Sequence, residues 1–335
     1  MSEGNRVLGD GTAAASGRAG PLDHSYVQVR STRPLTLPDV DVKARAGETA
    51  AELSGVQRRR KRVNAIMLGF ASVSSLLAII PLVAIALFVL VQGVNSLSLD
   101  FFTHAESDVD AFGIPLGIGN TIAGTVLIVL VACLVGLPIG LFSGIYLAEY
   151  GRGRFADVVR FLADVVAGIP SIIAGLVGYA LIVIPFGFSA IAGGISLALL
   201  MFPVVTRATE EVLRLVPLSL REGGLALGVP RWKVIASIVV PTAANGIVTS
   251  MLLGVARVTG ETAPLLFTAF THPYWEWNPT HPVSALTVTI FNYVNDPDPT
   301  KHKMAFAGAL VLVAFVVGLN LVARLVFRRR LAGRT

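Results

Sequence analysis

The sequence holds a single cysteine, Cys133, inside an apolar run, so no disulfide can close within the chain. No Cys/His pattern has zinc spacing, and no metal site is expected. Charge is scarce too. Asp, Glu, Lys and Arg make up 14% of the 335 residues, whereas soluble domains run near a quarter. That scarcity excludes an ordinary soluble enzyme, and a hydrophobic share of 54% excludes a chain disordered throughout. The pattern G-x-x-x-x-G-K-[ST] is also missing, so the chain is not expected to be its own ATPase, or an enzyme, and no cofactor is expected on it.

What is present reads as a polytopic membrane protein in contact with membrane lipid. A net charge of +6 raises nucleic acid as a partner, but the basic residues flank apolar runs, where they orient spans. No nucleic-acid partner is expected. Residues 1–57 differ in kind: they are rich in Gly, Ala, Ser, Thr and Pro, carry six basic and seven acidic residues, and show no apolar period. They are expected to form a disordered cytoplasmic tail. No apolar core follows a short basic start, so this is not a signal peptide.

Residues 58–330 are expected to form one six-span transmembrane domain. A helix needs about 20 apolar residues to cross a bilayer core. Uncharged runs place spans at 65–91, 118–145, 162–184, 188–206, 234–256 and 304–323. Basic clusters occur at 58–62, at Arg152, Arg154 and Arg160, at 207–233, and at 324–334. Residues 93–117 hold four acidic residues and no Lys or Arg, and 271–303 hold only Lys301 and Lys303 of those two types. This asymmetry predicts both termini, 146–160 and 207–233 in the cytoplasm, with 93–116 and 271–303 outside.

Two segments carry chemistry. Within 217–233, Ser219 and Glu222 have the spacing of a capping box, predicting a helix that starts at Ser219. Gly228 suits the positive-φ turn that ends it, and Val229-Pro230 opens a second short helix. From local physics alone this is a helix–turn–helix on the cytoplasmic face, or an ordinary capped interfacial loop. In the fifth span, Arg257 and Glu261 lie four residues apart on one helix face, inside or at the end of an apolar stretch. Guanidinium is planar, always charged and suited to oxyanions, and Gly260 and Pro264 interrupt the helix there. A structural Arg–Glu pair holding the bundle together is the competing reading. Asn120 and Ser171 are polar residues near or within spans that either face a pathway or serve packing.

A resemblance adds to this. Glu222-Gly223-Gly224, three residues, Gly228, nine residues and Ile238-Val239-Val240-Pro241 resemble the EAA motif of binding-protein-dependent ABC importer permeases, with glycines in place of both alanines. Arg257-Val258-Thr259-Gly260-Glu261-Thr262-Ala263-Pro264-Leu265-Leu266-Phe267-Thr268 resembles the fifth-span signature of the PstA-type permeases of phosphate-specific ABC importers. Gly119-Asn120-Thr121, Tyr146–Tyr150 and Ala167–Ile172 resemble that family too. The resemblance implies an all-α integral membrane protein of the type I ABC importer permease fold in a bacterial or archaeal plasma (inner) membrane. It implies inorganic phosphate import by alternating access, with Arg257, Glu261, Thr262, Asn120 and Ser171 along the path. Ser219, Glu222, Gly223, Gly224, Gly228 and Arg231 are expected to couple to an ATPase. The implied partners are a PstC-like second permease, two copies of a PstB-like ATPase that uses ATP, and a PstS-like soluble phosphate-binding protein. The alternatives are another oxyanion, sulfate or molybdate, or an ion-coupled secondary transporter.

Overall fold

The computed structural model describes residues 42–332, and it divides the chain into residues 1–75 and residues 76–335. The first part of the expected tail, 1–41, lies outside the described residues. Helix α1 runs Val42–Val94, so 42–57 is helix where a disordered tail was expected. Intrinsic propensity accounts for this: Ala44, Ala46, Glu48, Ala50, Ala51, Glu52 and Leu53 are strong helix formers, and no proline interrupts them. Residues 60–75 of α1 are exposed throughout, and apolar side chains such as Ile66 and Phe70 suit a lipid environment.

Residues 76–335 hold the end of α1 and eleven more described helices. They are α2 Leu99–Thr103, α3 Gly119–Glu149, α4 Arg154–Gly168, α5 Ser171–Phe186, α6 Ala190–Arg214, α7 Leu218–Ala226, α8 Arg231–Thr242, α9 Ala244–Thr259, α10 Ala263–Thr268, α11 Leu286–Val294 and α12 Pro299–Ala332. By length and composition, four helices can cross a membrane: Arg60–Val94 of α1, α3, α6, and Pro299–Leu321 of α12. Two bent pairs raise the number to six.

The expected third and fifth spans are these bent pairs. α4 and α5 meet at 105°. Ile169 is extended (φ −74°, ψ 132°) because the ring of Pro170 disfavours a helical conformation in the residue before it. The apolar stretch read as 162–184 is therefore two arms. α8 and α9 meet at 74° across Ala243. Here Pro241 removes one backbone donor, and the turn before it, Ile235–Val239, has already loosened to π-helix. The 271–303 segment, read as an outer loop, contains α11. Its Leu286, Thr287, Val288, Thr289 and Tyr293 are buried, and α11 packs against α12.

The centre of this unit is the α3–α6 pair. Gly136, Gly140 and Gly144 recur every fourth residue on α3, opposite Met201, Val205 and Thr209 on α6. A Cβ at Gly140 would lie 2.8 Å from the Val205 side chain, and one at Gly144 would lie 2.6 Å from that of Thr209. Such small-residue spacing lets two backbones approach closely where no hydrophobic effect drives them together. Ile128, Ala132, Leu197, Met201, Val205, Val255 and Val258 complete the core and bring α9 into it. α7 and α8 close one end over Leu213, Val216, Val234 and Val239. Phe101, Ile118, Leu286, Tyr293 and Met304 cluster separately, where α2, α3, α11 and α12 meet.

Candidate functional site

Three of the residues singled out in the sequence converge on one cavity of about 230 Å³. Ser171, Arg257 and Glu261 line it together with Val166, Ala167, Ile169, Pro170, Leu200, Pro203 and Val204. The two breaks in the helices make it. The α4–α5 elbow supplies one wall, and α9 ends at Thr259 to supply another. Past Thr259 the chain continues in a tight turn, with the Gly260 and Glu261 amides donating to the Arg257 and Val258 carbonyls at 3.3 and 3.2 Å. α10 then starts with Pro264 in its first turn.

Arg257 Nε and Glu261 Oε1 are 4.0 Å apart, at the limit of an ion pair. The Arg257 side chain is 56% exposed and that of Glu261 20%. The guanidinium therefore keeps donors free. Ser171 is the first residue of α5, so the cavity also adjoins the end of a helix where backbone N–H groups lack helical partners and the dipole is positive. The cation, the hydroxyl and the helix N-terminus suit a small oxyanion, and the carboxylate opposes one by competing for the cation. Thr262 sits in the break itself, its carbonyl accepting from Leu265 and Leu266 at 3.1 and 3.3 Å; it does not line the cavity.

Asn120 lies elsewhere. Its amide donates to the Glu106 carboxylate (3.4 Å) and to the His272 carbonyl (3.0 Å), and its side-chain oxygen accepts from the Glu106 amide (3.1 Å). Ser284 and Thr289 hydroxyls donate to the same carboxylate at 2.9 and 3.1 Å. Glu106 thus ties together the start of α3, α11 and the connections at 104–118 and 269–285. Sequence reading counted it only as loop charge.

The second constellation is at the α7 end. α7 begins at Leu218 after Pro217 and has no side-chain cap, so the expected capping box of Ser219 and Glu222 is not made. Pro217 already holds the extended N-cap conformation, with φ −56° and ψ 139°, which puts Ser219 inside the helix. The far end is as expected. Gly228 has φ +75°; its amide donates to the Leu225 carbonyl (2.9 Å) and that of Val229 to Gly224 (3.3 Å), the two bonds of a Schellman ending. Ser219, Glu222, Gly223 and Arg231 are exposed, while Gly224 is buried against Val234 and Ile238.

Carboxylates that sequence reading did not single out hold this end. Arg221 donates to Glu149 Oε1 from Nε (3.0 Å) and Nη2 (2.7 Å), and to the carbonyls of Leu213 and Val216. Arg231 donates to the Glu149 carbonyl and lies 4.8 Å over the Tyr150 ring. Glu210, buried on α6, accepts from Arg160 (3.0 Å), Arg207 (3.3 Å) and Arg214 (2.5 Å). Each acid sits at the basic end of an apolar run. That position was the available signal, and it was spent on orientation.

Comparison with known proteins then adds relatives. The family model described as "Binding-protein-dependent transport system inner membrane component" matches residues 136–331. The chain is 40% identical over 276 residues to the phosphate transport system permease protein PstA of Yersinia pestis, covering 82% of this chain and 93% of that one. It is 42% identical over 273 residues to the protein of the same name from Haemophilus influenzae (81% and 96%), and 36% over 280 residues to that from Mycobacterium leprae (81% and 91%). A chain of the MetNI methionine ABC transporter, in an inward-facing crystal form, superposes with a TM-score of 0.50 at 18% identity. It covers 64% of this chain and 93% of that one, a likeness of fold.

Proposed function

The chain belongs to the family of binding-protein-dependent transport system inner membrane components, and from that premise we propose that it is the permease subunit of an ATP-driven importer of inorganic phosphate. The observation that carries the reading is the cavity at the two helix breaks. Its single free guanidinium faces a carboxylate that pairs with it only loosely.

In this reading Arg257 and Glu261 are the substrate's partners. Conduction needs a site strong enough to admit an anion and weak enough to release it. Glu261 competes with phosphate for the Arg257 donors. With the cavity empty, the pair closes; with phosphate present, its oxygens take over the guanidinium. Ser171 and the start of α5 supply hydrogen-bond donors from the opposite wall.

A guanidinium more than half exposed does not face lipid, where a charge is costly. The face that carries it is covered by a second, similar permease, and the path lies between the two. α7 and α8 dock on a separate ATPase, which supplies ATP hydrolysis. Exposed Ser219, Glu222, Gly223 and Arg231 meet it, and Gly228 shapes the turn. Arg221 and Glu149 pass its movement to α3. A soluble phosphate-binding protein delivers the anion on the opposite side. The α7 end and both termini are cytoplasmic, and the bundle lies in the plasma membrane of a bacterium or archaeon. Sulfate or molybdate import would use the same geometry. An ion-coupled secondary transporter has no need of an exposed docking helix like α7.

The test is reconstitution of the chain with its partner subunits in proteoliposomes, with labelled phosphate and labelled sulfate compared. ATP-dependent phosphate uptake with little sulfate uptake is expected. Preference for sulfate, or uptake that persists without ATP under an ion gradient, would overturn the reading.

A further inference from the structure

A second opening lies beside the cavity, on the side toward α7. It has a volume of about 410 Å³ and is lined by Ala208, Glu211 and Val212 on α6 and by Asn245, Thr249 and Leu253 on α9, among others. The two openings are neighbours on both walls. On α6 the step is from Val204 to Ala208, and on α9 from Arg257 to Leu253. Each step is one helical turn, and residues four apart on a helix stand next to each other. Along α9, Asn245, Thr249, Leu253 and Arg257 are all exposed at one-turn intervals. Three of the four are polar, within a helix whose buried face is Ile247, Leu252, Val255 and Val258. Polar side chains in a membrane-spanning helix face a cavity, water or a partner rather than lipid.

We propose that this α6–α9 groove is the release path for the anion, with Asn245 and Thr249 as neutral hydrogen-bonding rungs below the Arg257 cavity and Leu253 as the apolar step between them. The proposal deepens the phosphate-permease reading and rests on it. The Asn245 carboxamide supplies N–H donors to anion oxygens. The Thr249 hydroxyl donates to the Asn245 carbonyl at 2.9 Å. Its lone pairs remain to accept from the P–OH of a protonated phosphate. Neutral dipoles hold an anion less firmly than a second cation would, so an anion leaving Arg257 is guided without being trapped. Glu211, exposed at the far end, keeps an anion from settling there and opposes re-entry from that side.

The test uses the whole importer with Cys133→Ala as background. Asn245→Leu combined with Thr249→Val is expected to lower phosphate uptake about tenfold, while complex yield and ATP hydrolysis stimulated by the binding protein persist. Thr249→Ser, which keeps the hydroxyl, is expected to retain uptake. In assembled complexes, Thr249→Cys is expected to react with a small anionic thiol reagent supplied from the α7 side, and saturating phosphate is expected to slow that reaction. Wild-type uptake by the Asn245→Leu, Thr249→Val variant, or a Thr249→Cys thiol inert to the reagent with and without ATP, would overturn the proposal and leave this groove sealed by lipid or by close packing, with the anion leaving elsewhere. If the wild-type importer moves sulfate instead, and sulfate slows the Thr249→Cys reaction, the phosphate reading falls and the groove stands.

Discussion

At 4.0 Å, Arg257 and Glu261 are close enough to attract but too far apart for a short charge-assisted hydrogen bond. A strut holding the bundle together would be shorter and drier, as Arg221 and Glu149 are, with side chains 16% and 5% exposed and a contact of 2.7 Å. The contrast separates the two pairs by experiment. Arg257→Gln is expected to cut phosphate uptake tenfold to hundredfold, the loss of roughly 1.5–3 kcal/mol of charge-assisted bonding, with complex yield unchanged. Arg257→Lys also fails, because the compact ammonium lacks the planar fork. The Arg257→Gln, Glu261→Gln double variant stays inactive, and its recovery in an uptake assay would show the pair to be a strut. Glu149→Ala behaves in the opposite way. Removing one partner of a buried pair costs about 3–5 kcal/mol, so the detergent-purified complex is expected to melt earlier and in lower yield. Adding Arg221→Met restores much of the lost thermal stability.

Among the elements, α7 shows what local sequence rules reach and where they stop. Its ending was legible because positive φ at a helix terminus has one cheap solution, and Gly228 stands at that position. Its start was not. The Ser219/Glu222 spacing mimics a capping box, but Pro217, two residues earlier, fixes its own φ and begins the helix sooner. The glycines that replace the family's alanines are not equivalent either. A Cβ at Gly223 meets nothing within 4 Å, whereas one at Gly224 lies 3.0 Å from a Val234 methyl. Gly223→Ala is therefore expected to stiffen α7 by about 1 kcal/mol and to leave ATP-coupled uptake at or above the wild-type level. Gly228→Val is expected to insert normally yet uncouple ATP hydrolysis from uptake, since a β-branched residue at positive φ is strained by about 1–3 kcal/mol. Wild-type coupling ratios in Gly228→Val proteoliposomes would remove α7 from the docking role. The α4–α5 elbow was half-legible. Pro170 announced a kink, but composition alone cannot distinguish a kink from a 105° turn between two apolar arms.

For the molecule as a whole, counting apolar runs located the unbroken helices α3, α6 and α12, because a helix that crosses a bilayer needs about 20 largely apolar residues whether it faces lipid or, as α6 does, other helices. It gave no sign of α11, a helix with buried Thr287, Thr289 and Tyr293 inside the segment read as an outer loop beside Trp275 and Trp277. The Arg257 cavity was legible as residues but not as a place. Arg257 and Ser171 lie far apart in the sequence, and only the two bends bring them to one cavity. Orientation is open to a direct check. With Cys133 removed, Ser107→Cys and Asn278→Cys are expected to react with an impermeant maleimide in intact cells, and Glu222→Cys only in inside-out vesicles. The reverse pattern would invert the topology and put the α7 end outside.

The glycine-seated contact between α3 and α6 leaves no soft layer between their backbones. On the proposed coupling, a displacement delivered through Arg221 and Glu149 at one end of α3 would carry α6 with it. Relative movement is left to the helices broken at Ile169-Pro170 and at Ala243. In engineering terms, α3 and α6 are the frame and the two elbows are the hinges. In the proposed transport reading the anion's partners are Ser171 beside one elbow and Arg257 on the arm beyond the other, each next to a break rather than on the frame.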